Sequence, residues 1–414
     1  MKNTYAYCLL LLAQLGGSHL IAEDWQQFRG RGGQGITQDS GLPLVWSDQQ
    51  NVLWKAELPG SGASSPIAFG DRLYVTCYSG YGSETQNPGT MADLKLHVVC
   101  LSDEGKVLWD QLVAPKLPET ERVRDHGYAA PTPVTDGKHL YVFFGKTGVL
   151  RFDLNGKQLW QTSVGDNLNG WGCGTSPILY KDLVIVNASV ESNSLVAINQ
   201  GDGNEVWRVG GMNSSWNTPH LVDVGDGQQE LVVNVKDKIL AFDPSTGTQL
   251  WSCNGIPDYV CPSVVSDKGI VYVIGGRTSQ AIAVKAGGRG DVTATNVLWM
   301  AKAGSNVVSP VVHDGYLYWV SDRNTIAYCV RLQDGEVMYA ERFPAQPYAS
   351  AVIGDGKIYV VTRDAGTYVL AAKPKYELLA HNKLDDRSTF NASPIVANSK
   401  LFLRSNRYLY CIGQ

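Results

Sequence analysis

The sequence predicts an all-β fold: an eight-bladed β-propeller of four-stranded antiparallel blades, closed by N- and C-terminal strands that share one blade. Three observations predict it. Ser-Pro or Thr-Pro recurs along the chain, with prolines at Pro133, Pro177, Pro219, Pro262, Pro310 and Pro394 and Ala351 standing in once, at intervals of about 43 residues. A copied unit of that length is the signature of a propeller blade. A tight turn ending in Gly-x-x-x-Trp precedes most of these dipeptides, and short apolar runs bounded by Gly, Asp and Asn fill the space between.

The unit is clearest at 217–251, NTPHLVDVGDGQQELVVNVKDKILAFDPSTGTQLW. A strand follows Thr218-Pro219 and turns at Gly225-Asp226-Gly227; ELVVNV and KILAFD follow; the turn from Pro244 to Gly247 leads to a last strand ending in Trp251. Glycine serves the turn where φ is positive, and aspartate bonds the turn's own amides. The last unit, ASPIVANSKLFLRS to YLYCIGQ, lacks a fourth strand, while NVLWKAEL at 51–58 is a fourth strand without a blade. Joining them closes a ring of eight and leaves no open edge; seven blades would leave 51–58 unexplained. Trp54, Trp109, Trp160, Trp207, Trp251 and Trp299 recur at equivalent outer-strand positions, where packing between blades is the expected role, and Tyr339 and Leu379 replace them in the last full blades.

Three segments stand outside the repeat. Residues 1–22 read as an export signal: Lys2, an apolar core from Tyr5 to Leu15, and Ala22 as cleavage position. That core is too short for a membrane span, and Cys8 after Tyr7 comes too early for a lipoprotein. An exported protein, periplasmic or secreted, is expected. Residues 23–50, with WQQFRGRGGQG, form an arm that docks on the ring through Trp25, Phe28 and Trp46; the glycine-rich run lacks the Gly-Lys-Ser/Thr and the strand–loop–helix setting of a phosphate loop. Residues 78–95 are an insertion in the first blade, expected as a surface loop. The ring itself covers 51–414.

A formal net charge of −4 without a basic cluster argues against nucleic acid and against anionic lipid as partners. The closed ring is expected to be a monomer. Export makes the cysteines worth pairing. Cys253 and Cys261 flank a short connection and are the disulfide candidate, with Cys77 and Cys100 a weaker pair; buried thiols on strands are the other reading. No CxxC pair or His/Cys cluster marks a zinc site.

The loops just ahead of each Ser-Pro differ from one another. They carry Arg124, His126, Tyr128, Trp171, Trp216, Asn217, Tyr259, Asn306, Tyr348, Arg387 and Asn391, expected near one end of the axis as candidate ligand-binding residues. Aromatic and amide side chains together suit a planar polar or carbohydrate-like ligand; strand capping around a watery channel is the plainer alternative. His126 is placed to act as a base near neutral pH, or to sit in a structural network with Arg124 and Asp125. Asp125, Asp385 and Asp386 could offer oxygens to calcium, without a DxDxD-type loop to support it. No catalytic residue is assigned.

The turn-Gly-x-x-x-Trp unit resembles the pyrroloquinoline quinone (PQQ) type propeller repeat over 51–414. The opening WQQFRGRGGQG, with HGYAAPTP, GTSPILYKDLVIVNAS, AVKAGGRGDVT and YVLAAKPKYELLAHN, is similar to exported PQQ-like propeller proteins of planctomycete bacteria. The resemblance implies a fold and export. Its quinoprotein dehydrogenases imply PQQ and calcium at one channel mouth and oxidation of alcohols or sugars, but they are longer and stack a disulfide of adjacent cysteines on the quinone, which this chain lacks. It is also similar in size and repeat to outer-membrane assembly scaffold lipoproteins, without their anchoring cysteine. The leading expectation is a non-catalytic platform for a protein partner or small ligand at the channel mouth; the alternative is a PQQ- and calcium-dependent oxidoreductase.

Overall fold

The computed structural model describes residues 24–83 and 87–414; the export signal expected over 1–22 lies outside the described residues. Eight antiparallel sheets form the ring. Blade 1 consists of Ile67–Phe69, Arg72–Ser79, Lys95–Ser102 and Val107–Val113, from the axis outward. Around the axis, the innermost strands of blades 2 to 8 are Val134–Thr135, Ile178–Tyr180, His220–Gly225, Val265–Asp267, Val311–His313, Val352–Gly354 and Ile395–Ala397. Blade 8 closes as the sequence predicts: Val52–Glu57 pairs antiparallel with Tyr408–Ile412, setting Trp54 opposite Cys411 and Glu57 opposite Tyr408.

The repeated glycine and tryptophan prove to be two halves of one joint between neighbouring blades. Trp109, on the outer strand of blade 1, lays its ring over Gly156 in the outer turn of blade 2 and donates Nε1–H to the Leu154 carbonyl at 3.1 Å. Trp54, Trp160, Trp207 and Trp299 repeat this, each donating to a turn carbonyl of the next blade. At Gly156 φ is +89°, and a Cβ there would stand 2.9 Å from the indole. Glycine is therefore required twice over, by the backbone and by the ring that covers it.

Trp251 departs from the pattern. Blade 5 replaces the outer turn with a longer segment, of which Gly290–Asp291 pairs parallel with Trp251 and Ser252 as a fifth strand of blade 4. Trp251 is fully buried and donates to Glu230 Oε2 at 2.6 Å, an oxygen that also takes the Gly287 amide, while Arg289 caps Oε1 at 3.0 Å.

The expected disulfide does not form: Cys253 and Cys261 are both free thiols, as are Cys77 and Cys100. Cys253 sits opposite Ile239 and points into the core between blades 4 and 5, while Cys261 lines the axial channel. Cys77 lies opposite His97 and Cys100 opposite Tyr74. Positions 97 and 100 on one strand have opposite parity, so the two thiols face opposite sides of the blade and join different cores.

The arm packs as expected and does more. Trp25 exchanges both backbone bonds with Ala68 of blade 1, and Gln26 O accepts from Thr135 of blade 2. The chain then crosses the ring. Gln34 donates to Ser266 of blade 5, Arg29 to Pro310 O of blade 6, and Gly35 and Thr37 bond Ile353 of blade 7. All these partners lie on innermost strands or immediately before them, so the arm spans the end of the channel opposite the variable loops. Trp46 is buried against Tyr359, whose hydroxyl donates to Pro43 O at 2.9 Å.

Candidate functional site: the axial cup

Where each innermost strand begins, a hydroxyl residue ties one blade to the next. The amides of Ser65, Thr132, Ser176 and Thr218 donate to the side-chain oxygens of Thr132, Ser176, Thr218 and Ser263 in turn, at 2.9–3.2 Å. The amides of Ser263, Ser309 and Ser350 continue to Ser309, Ser350 and Ser393 at 2.9–3.0 Å. The result is a belt of eight hydroxyls. It corrects the register read from prolines in blade 5, where Ser263, not the residue before Pro262, holds the belt position, and Val264 follows it. Proline after the belt residue suits a place where the next residue's N–H is not needed by the belt.

The belt, the arm and the variable loops enclose an axial cup of about 110 Å³. Phe28 from the arm floors it, belt hydroxyls ring it, and His126, Trp171, Trp216, Tyr348, Cys261 and Asn391 form the upper wall. Among the described residues no carboxylate lines it.

Five of the eleven predicted residues line this cup: His126, Trp171, Trp216, Tyr348 and Asn391. His126 Nδ1 is 3.0 Å from the Tyr348 hydroxyl, and burial pushes the imidazole down to about 4, so it is neutral at physiological pH. Burial likewise raises the Tyr348 phenol and the Cys261 thiol. Asn391 is buried and gives its Nδ2–H to Asp125 O, leaving Oδ1 without a partner. Trp171 stays 48 % exposed and packs on Tyr259 at 5.1 Å and Trp216 at 6.1 Å between ring centroids. Trp216 is fixed by Nε1–H to Gly172 O at 2.9 Å, and Tyr259 by its hydroxyl to Asn306 Oδ1 at 2.7 Å.

Guanidinium groups cover the outer side of these rings. Arg277 lies 5.1 Å from the Tyr259 ring and is held by Asp258; Arg363 lies 5.3 Å from the Tyr348 ring and pairs with Asp125 at 2.9 Å. Arg124 lines a shallow groove above the cup together with Asp125, His126 and Trp171.

The other predicted residues do not reach the cup. Tyr128 turns sideways against Tyr78 and Tyr81 and donates to Thr120 O at 2.6 Å. Asn217 is fully buried, bonding Ser215 Oγ and Asn234 O, which makes it a strand-capping amide. Asn306 supports Tyr259, and Arg387 is exposed on the surface. Sequence reasoning missed Phe28 as the floor, the belt hydroxyls and Cys261. Its signal in the sequence is the serine or threonine of the repeated Ser-Pro and Thr-Pro itself.

A β-propeller with blades locked in this way is the architecture of the PQQ-type repeat proteins. Residues 94–341, more than half of the chain, match the family described as outer membrane protein assembly factor BamB, and the chain belongs to that family. Searched against curated proteins, the sequence finds no match. Solved structures share the fold at low identity. BamB from Moraxella catarrhalis is 12 % identical with a TM-score of 0.61, covering 87 % of this chain and 98 % of its own. The quinohemoprotein alcohol dehydrogenase from Comamonas testosteroni is 11 % identical with a TM-score of 0.66, covering 94 % and 80 %. A europium-containing methanol dehydrogenase is 11 % identical with a TM-score of 0.54, covering 95 % and 98 %. Among the described residues no helix is long and apolar enough to cross a membrane.

Proposed function

We propose that the protein is an exported, non-catalytic platform that holds a partner protein or a small ligand at the mouth of its axial channel. One observation carries this reading: the half-exposed Trp171 is braced by Trp216 and Tyr259 over a cup, with every bracing side chain already fixed by a hydrogen bond. A rigid aromatic surface open to solvent is a contact for a ligand's flat or apolar face, obtained at little entropic cost. The family's description as an assembly factor supports a partner-binding role. Export rests on residues 1–22.

The polar groups at the mouth argue against catalysis. His126 is neutral and hydrogen-bonded to a phenol, burial keeps the Cys261 thiol protonated, and Asp125 is paired with Arg363. PQQ with calcium fits poorly. Among the described residues no three His, Cys, Asp or Glu side chains cluster. Asp322 Oδ1, beside the mouth, is already bonded by the Ser305 hydroxyl and the Asn306 and Val307 amides. The wall offers the quinone one thiol and no adjacent cysteine pair.

The test is a screen of glycans, peptides and PQQ with calcium by tryptophan fluorescence, comparing wild type with Trp171→Ala. A ligand that quenches the wild type should lose at least tenfold in affinity to the variant. PQQ uptake with dye reduction on alcohols would overturn the non-catalytic reading. The N-terminal residue of the protein recovered from an envelope fraction tests export, and an intact residue 1 there would refute the cleavage.

A further inference from the structure

Two arginines lie buried against the hydroxyl belt without a carboxylate. Arg29 is 3 % exposed and Arg404 1 % exposed, and neither forms an ion pair among the described residues. Arg29, in the arm, donates to Gln34 O and to Pro310 O, the carbonyl one residue below the belt in blade 6. Its Nε and Nη1 have no hydrogen-bond partner. Arg404, in blade 8, donates to the oxygens of Ser64, one residue above the belt in blade 1, and to Thr76 O, while its Nε is unpartnered. Burial depresses both groups, Arg29 to about 9, which leaves Arg29 a cation at neutral pH. Carbonyl dipoles offset part of the cost of two buried charges, but a charge without a counter-ion in such a place is still unfavourable.

The belt supplies the other half of the argument. Each hydroxyl from Thr132 to Ser393 receives an amide N–H from the preceding blade, which uses its oxygen as acceptor and leaves its own proton unspent. Ser65 Oγ, at the remaining junction, has no partner at all. All of these hydroxyls but Thr132 line the cup together with Ser65, and among the described residues no carboxylate does. Donors converge from the belt and positive charge lies on both sides of it; of the acidic groups beside the mouth, Asp125 is paired with Arg363, while Asp322 keeps its charge with Oδ1 held by three donors above the belt. The unpartnered Asn391 Oδ1 is an acceptor on the upper wall. It favours a ligand seated low, at the belt.

We propose that the axial cup binds a small oxyanion, a carboxylate or phosphate group, at the hydroxyl belt. The anion completes the hydrogen bonds of the belt and offsets at a distance the charge of Arg29 and Arg404, which bond carbonyls one residue from the belt but do not themselves line the cup. The inference rests on the axial cavity being a ligand site, and it adds the chemistry of what fills the lower half: a free ion, or the acidic end of a longer ligand entering past Trp171.

The test uses the full mature chain, dialysed into a zwitterionic buffer with a bulky anion. Acetate, phosphate and chloride are titrated at constant ionic strength, followed by calorimetry and by melting temperature. Acetate or phosphate should bind saturably at one site per chain and raise the melting temperature in step. Arg29→Met, which keeps bulk and removes charge, should weaken binding at least tenfold. Should that variant not fold, Ser65→Ala decides, since its Oγ holds no bond in the fold; a loss of several-fold is expected. Equal, unsaturable effects of all three salts would overturn the proposal, as would wild-type affinity in a folded Arg29→Met or in Ser65→Ala. Because anion affinity is read directly, its absence leaves the mouth reading standing on the Trp171 quench. Anion binding without any quenching ligand would mean the reverse.

Discussion

Gly156→Ala tests the joint between blades. The substitution places a methyl group at φ +89° and 2.9 Å from the Trp109 indole. The left-handed backbone costs a residue with a Cβ about 1–2 kcal/mol. The contact lies well inside van der Waals distance, so the indole must move, and the Trp109 Nε1–H bond to Leu154 O at 3.1 Å goes with it, for about 1 kcal/mol more. Lost packing of the displaced ring adds about 1 kcal/mol. The sum is roughly 3–4 kcal/mol, read by urea unfolding of the single variant. Trp109→Ala supplies the control, because the three atoms nearest the new methyl group all belong to that indole. In that background Gly156→Ala should cost only its backbone strain, leaving a coupling of about 2 kcal/mol between the two sites. Additive effects, with coupling under about 0.5 kcal/mol, would refute the account of glycine and tryptophan as one joint.

Further outcomes follow from other parts of the molecule. Glu191 is 2 % exposed with Oε2 unpartnered, and burial raises its carboxyl to about 7. The folded state thus holds a proton that the unfolded state releases near its ordinary value of 4.5, and stability falls as pH rises from there to about 7. Glu191→Gln should remove about 3 kcal/mol of that fall, seen by comparing urea midpoints at pH 5 and pH 8. Neutral His126 has the opposite sign: stability drops as pH falls from 6.5 towards about 4, and His126→Gln should flatten that limb. Non-reducing peptide mapping should find Cys253 and Cys261 unlinked, and a native thiol reagent should label Cys77, Cys100 and Cys411 only after unfolding, since all three are fully buried. Trp25→Ala should cost about 3–5 kcal/mol, because the ring is 1 % exposed where the arm packs on blade 1.

The architecture was legible because it is written many times. An unpaired fourth strand at 51–58 and a three-stranded last unit were enough to predict the closing blade, and the structure supplies its register, with Trp54 opposite Cys411. The tryptophans were recognised as packing residues, and the structure adds that the glycine four residues before one tryptophan accommodates the tryptophan of the preceding blade. Legibility fails where a feature occurs once. Nothing in the spacing of Cys253 and Cys261 says that one faces a blade core and the other the axis. Tyr128 and Trp171 sit in similar loops, yet one turns outward onto Tyr78 and the other stays over the cup. Loop sequence gives an address on the ring; side-chain direction depends on a fold of each loop that no repeat specifies. The arm's passage beneath the ring was hidden for the same reason, since its partners in blades 5, 6 and 7 lie far along the chain.

The strand at Val52–Glu57 is made long before its partner, Tyr408–Ile412. Closure is thus the most non-local event in folding, and non-local pairing is slow. Until then the chain is an open arc with two unsatisfied edges, vulnerable to pairing with another copy. The arm, already able to grip blades 1 and 2 through Trp25 and Gln26, can hold the waiting strand beside the growing arc. A segment that floors the cup in the finished molecule is thereby also positioned to shorten the search that finishes it.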